Sequence, residues 1–168
     1  MSAVPPLTPL ATAALHVGDP ERILQIQCGE GDGALFLARE FPRASVRGVD
    51  ADEAAIRRAA SRVGLDPEGR VAFKAGGPRK LPFPDDLFDL VALLDAAPPP
   101  REVARVLRPG GYLLLAYSVG GPQAGLAARL RGWRLRRAGI EPIWSEAAGE
   151  GSYSVSRLQG GGPPVRQE

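Results

Sequence analysis

The chain has 168 residues, 44% of them hydrophobic, and a formal net charge of +2. That length and composition suit one folded domain and exclude a disordered chain. The small net charge points away from nucleic acid, the lone Cys28 excludes an intrachain disulfide, and no apolar run approaches the ~20 residues of a membrane span.

Residues 1–7 read as loose. The stretch "TPLATAALHV" predicts a short helix, with Thr8 as its cap and Pro9 at its first position. The N-terminus lacks a basic region and is broken by Pro5, Pro6 and Pro9, which makes it a poor signal peptide. No membrane partner is expected, and a reducing, cytoplasmic setting is the default. "RILQIQC" predicts a first strand, "DGALFLAREF" a helix ending before Pro42, and "ASVRGVD" a second strand.

"DEAAIRRAASRVG" carries the strongest helical pattern. Asp52 is its N-cap, Ile56, Ala59, Ala60 and Val63 share a face, and Gly64 closes it. "RVAFKAG" and "FDLVALLD" predict strands three and four, the latter apolar enough to be covered on both sides. "PPREVARVLRPGG" predicts a short helix with Val103, Val106 and Leu107 inward, stopped by Pro109, and "YLLLAYS" a fifth strand.

Next comes "PQAGLAARLRGWRLRRAG", read as a helix with Leu126, Leu130 and Trp133 toward the core. Its "RLRGWRLRR" portion holds five arginines and no acid. We read it as a solvated face; RNA binding with Trp133 stacked on a base is the alternative. "EPIWSEA" and "SYSVSRL", joined by "AGEG", predict an antiparallel hairpin. Residues 1–160 are thus read as a single α/β domain and residues 161–168 as a flexible tail.

Alternating strands and helices imply a mainly parallel sheet, whose ligands bind at the carboxyl ends of the strands. The glycine turn "CGEGDG" falls there, after strand one. Gly29 and Gly31 allow a sharp turn and close approach of backbone to a ligand. Asp50 ends strand two, 19 residues after Gly31, where a carboxylate can accept bonds from two ribose hydroxyls. "GEGDGA" also satisfies the dinucleotide fingerprint, so this turn alone suits a nicotinamide or an S-adenosylmethionine (SAM) site equally well.

Taken in order, "ILQIQCGEGDG", "VRGVDADEAAIRRAA", "VAFKAGGPRKLPFPDDLFDLV" and "EVARVLRPGGYLLLAYS" resemble the motifs of class I SAM-dependent methyltransferases, across residues 8–158. The resemblance implies a Rossmann-like three-layer α/β sandwich with a seven-stranded, mainly parallel sheet and an antiparallel final hairpin. It implies SAM as cofactor and a small-molecule substrate. By its pattern, Gly29 and Gly31 form the backbone cradle, Asp50 holds the ribose, and Ala51 lies against adenine. Gly77 and Pro78 border the adenine edge, and Asp95, at the end of strand four, orients substrate or the cofactor amino group.

The chain departs from that pattern at several points. Gln25 replaces the first-motif acid, and Gln27 replaces its first glycine; both glutamines would then serve the amino-acid end of the cofactor. Gly77 replaces the adenine-binding aspartate, and the segment "DAAPPP" after strand four is short. A short lid leaves an open site that a protein partner can close. Two readings follow: a methyltransferase acting on a small molecule, or an inactive methyltransferase-like binding or regulatory module. Cys28 reads as a packing residue, His16 and Tyr117 as packed or solvated, and Glu30 as solvated. No catalytic base and no metal ligand set are named.

Overall fold

A computed structural model describes residues 6–64, 66–121 and 125–160. Its elements, in chain order, are α1 (Thr8–Ala14), β1 (Arg22–Ile26), α2 (Asp32–Glu40), β2 (Ser45–Asp50) and α3 (Glu53–Arg62). They continue with β3 (Val71–Ala75), β4 (Phe88–Leu94), α4 (Pro100–Val106), β5 (Leu107–Tyr117), α5 (Leu126–Arg137), β6 (Ile140–Ala148) and β7 (Gly151–Leu158). The seven strands form one sheet in the order β3-β2-β1-β4-β5-β7-β6. The five strands from β3 to β5 are mutually parallel, and β7 runs antiparallel to both β5 and β6.

Strand alternation sorts the core into two layers. Ile23, Leu90 and Ala92 pack with Leu10 and Ala13 of α1 and with Ala34 and Leu37 of α2. Leu24, Ile26, Val91 and Leu93 pack on the other face with Val103 and Val106 of α4 and Leu135 of α5. β4 feeds both layers, which is why its sequence is an unbroken apolar run. The same alternation turns Gln25 toward the layer of Ile23, under the start of α2.

Three local expectations are corrected. The cap of α1 is Leu7, with no side-chain bond, whereas Thr8 lies inside the helix and its carbonyl accepts the Thr12 hydroxyl. Helix α4 ends at Val106 instead of running to Pro109, because Leu107 is already extended (ψ 140°) and pairs with Phe88. "LRPGG" is therefore an irregular opening of β5, with the register shifting between Phe88 and Leu90. Asp52, by contrast, caps α3 as expected, accepting from the Ala54 and Ala55 N–H groups. Ala55, Ile56 and Ala59 are buried there, while Ala60 is exposed.

The third correction is the larger one. Helix α5 does not turn Leu126, Leu130 and Trp133 inward; they are 73%, 46% and 52% exposed. Its one buried residue is Leu135, with the half-buried Ala128 and Gly132 on the same side. Small residues let the helix lie close to the fold, so its large apolar side chains are left outside. The expected tail and residues 122–124, ahead of α5, fall outside the described residues.

Candidate functional site

The carboxyl ends of β1, β2 and β3 converge on the glycine turn. β1 stops at Ile26 and the chain turns left-handed at Gln27 (φ 55°), Gly29 (φ 53°) and Gly31 (φ 90°) before α2 begins. The Gly29 N–H donates to Asp50 Oδ2 at 2.8 Å, and the Asp52 N–H donates to Asp50 Oδ1 at 2.9 Å. The Gly76 N–H donates to the Asp50 carbonyl at 2.9 Å, which draws the loop after β3 to the same point. Asp50 thus holds three turns together. A carboxylate has about four lone-pair positions, so two remain for ligand hydroxyls.

The two expected cradle glycines play different parts. A Cβ on Gly29 would meet nothing within 4 Å, so that position opens onto free space. A Cβ on Gly31 would lie 2.8 Å from Phe73 Cζ and 3.2 Å from Ala59 Cβ. Gly31 therefore lets α2, α3 and β3 pack closely, with no room for a side chain. Phe73 was not singled out in the sequence; its role depends on the β2–β3 register, which sets it opposite Gly48.

Gln25 is 2% exposed, and its Oε1 has no hydrogen-bond partner. A Cβ on Gly33 would stand 2.5 Å from Gln25 Nε2, so the amide fills the space beneath the first turn of α2. It underlies the turn and does not line the open face. Gln27 is exposed at the mouth of the turn. Ala51 is exposed beside Asp50, while Gly77 and Pro78 are half-buried; a Cβ on Gly77 would again meet open space within 4 Å.

Asp95 (φ 54°) lies at the end of β4 and accepts from both the N–H and the hydroxyl of Ser118, each at 2.7 Å. It braces the ends of β4 and β5, and Ser118, 23 residues away, is its partner through strand pairing alone. Glu30 is ion-paired rather than merely solvated: Arg58 Nε donates to it at 2.7 Å, and Arg62 bonds the Glu30 carbonyl and the Asp32 carboxylate. Tyr117 receives a bond from Arg131 Nη1 at 3.0 Å. His16 lies away from the turn, with Nε2 2.8 Å from the Tyr153 hydroxyl of β7.

Cys28 is buried, and burial pushes its thiol up to about 12, with the Asp50 carboxylate adding to the rise. A thiol so placed is a packing group and not a nucleophile at neutral pH. Among the described residues no cluster of three or more His, Cys, Asp or Glu side chains could hold a metal ion. None of their helices is long and apolar enough to cross a membrane.

A parallel sheet closed by a reversed final hairpin, with a glycine turn and a strand-two acid at its carboxyl edge, defines a class I methyltransferase-type sandwich. That hairpin also sets it apart from the nicotinamide-binding domains with which the turn alone is compatible. Residues 23–111 match the methyltransferase domain family, and the chain belongs to it. A SAM-dependent methyltransferase from Aquifex aeolicus superposes with a TM-score of 0.76 at 19% identity, over 90% of each chain.

Among sequence relatives, a fatty-acid O-methyltransferase of Mycolicibacterium smegmatis is 40% identical over 114 residues, 62% of this chain and 39% of that protein. A phthiotriol/phenolphthiotriol dimycocerosates methyltransferase of Mycobacterium ulcerans is 40% identical over 104 residues, 56% of this chain and 36% of that protein. The chain spans under two fifths of the length these matches come from.

Proposed function

We propose that the chain binds SAM at the glycine turn and directs methyl transfer to an apolar, lipid-like small molecule. The observation that carries this reading is the Asp50–Gly29 tether beside the open faces of Gly29 and Gly77. Asp50 keeps lone pairs for two ribose hydroxyls, and Gly29 offers a bare backbone surface. Ala51 borders the base, as do Gly77 and Pro78. The absence of a side chain at 77 leaves the adenine amino group to a backbone carbonyl or water.

Bound there, SAM supplies a methyl group already activated by its sulfonium. The protein's share of the work is then alignment of an acceptor for in-line displacement. Gln25 supports the turn from beneath with a neutral amide, and Gln27 stands at the amino-acid end with a second. Asp95 acts through Ser118, fixing the wall formed by β4 and β5. The lipid acceptors named for the two mycobacterial relatives support an apolar substrate class.

A second reading, an inactive methyltransferase-like binding or regulatory module, is favoured by one observation: Gln27 holds a left-handed conformation that suits glycine. Calorimetric titration with SAM and S-adenosylhomocysteine, with NADH as control, separates the two. Micromolar binding of either adenosyl ligand supports the enzyme. A folded protein that binds neither at millimolar ligand supports the module.

A further inference from the structure

We propose that α5 is an interfacial helix that seats the protein on an anionic lipid bilayer. The proposal starts from the inverted packing of α5. Its outward side carries Leu126, Leu130 and Trp133 at spacings of four and three residues, one continuous stripe along the helix. No element among the described residues buries that stripe. Arg129 and Arg136 flank it on one side and Arg134 on the other, and the Arg137 guanidinium lies 4.9 Å from the Trp133 ring centre.

The charge on the helix itself is of one sign. Helix α5 has five arginines and no acid. Arg129, Arg134 and Arg137 form no ion pair with a carboxylate of the described residues. Nor do Arg79 and Arg101, which join Trp133, Arg134 and Arg137 around a cleft of about 620 Å³ beside the helix; its one acid, Glu102, is held by Arg105. Arg136 is the exception, paired with Glu141.

An apolar stripe bracketed by unpaired arginines matches one partner chemistry: acyl chains beneath anionic headgroups. The leucines and Trp133 enter the acyl boundary, and the arginine stems lie along the surface with their guanidinium groups at the phosphates. A second copy seated on this stripe would set arginine against arginine. RNA would use the arginines and Trp133 and leave Leu126 and Leu130 in water. On its inner side α5 is tied by Arg131 to Tyr117, the last residue of β5. That bond anchors α5 at the carboxyl end of β5. The proposal stands independently of cofactor binding.

The test is sedimentation of the full chain with vesicles of phosphatidylglycerol mixed into phosphatidylcholine, against phosphatidylcholine alone. In a Trp144→Phe background, Trp133 is the sole tryptophan and reports insertion by a blue shift of its emission. We expect partition to the anionic vesicles, weakened by salt. Arg134→Gln/Arg137→Gln should weaken it about thirty-fold, and Leu126→Ser/Leu130→Ser by at least about ten-fold. Both pairs are exposed, so circular dichroism should stay unchanged. Absence of partition overturns the proposal. So does partition untouched by the leucine pair, tighter binding to a single-stranded RNA oligonucleotide than to vesicles, or a dimer abolished by the leucine pair.

Discussion

Gly29 donates its backbone N–H to the Asp50 carboxylate across 2.8 Å, although 21 residues separate them in the chain. This bond gives the ends of β1 and β2 a common geometry before any ligand arrives. Preorganisation of this kind lowers the ordering cost that binding must meet.

Replacing Asp50 by alanine should remove both the tether and the ribose acceptor. The affinity for SAM should fall roughly ten- to hundred-fold, the worth of a charge-assisted hydrogen bond, as read by calorimetry. Affinity equal to that of the unaltered chain would move the cofactor site away from Asp50.

The two turn glycines should respond unequally to alanine. Gly29→Ala meets only the left-handed conformation, a cost of about 1 kcal/mol, or a Tm loss of ~2–4 °C. Gly31→Ala adds the collision with Phe73 and Ala59, a further ~1–3 kcal/mol, so its Tm should drop at least twice as far. Equal shifts in a thermal melt would contradict the packing role given to Gly31.

At Gln27 the expected change is the reverse. Gln27→Gly relieves a left-handed side chain at ~1–2 kcal/mol and incurs ~0.5–1 kcal/mol of chain entropy, so the Tm should rise by about 2 °C. Combining it with Gln25→Asp buries a carboxylate beneath Gly33. Under the enzyme reading the double variant binds SAM more weakly, and a large gain in affinity would instead favour the module reading.

Cys28 should resist thiol reagents. With its thiol pushed up to about 12, the thiolate fraction at pH 8 is on the order of one in ten thousand. Because the folded value lies above the ordinary one near 9, this group's contribution to stability is fully present below pH 9. It is lost as pH rises from 9 to 12. Disulfide exchange with a coloured reagent should be slow in the native protein and fast in denaturant; rapid native labelling would refute the burial argument.

Much of this architecture was legible from local chemistry. The unbroken apolar run of β4, the Asp52 cap and the glycine turn are consequences of periodicity, hydrogen-bonding capacity and φ preference, which act over a few residues. The pairing of Asp50 with that turn was also within reach, since strand order and spacing imply it.

What the sequence by itself determined is therefore the element order, the sheet class and the acid facing the turn. The tertiary structure alone decided the rest. It spent Gly31 on Phe73, drew Asp95 onto Ser118 and buried Gln25 under α2, because each partner arrives through strand register or helix docking. It also turned Leu126, Leu130 and Trp133 outward: periodicity identifies a stripe on a helix, but which stripe faces the sheet depends on how closely the two surfaces fit. On α5 the small residues Ala128 and Gly132 fit best.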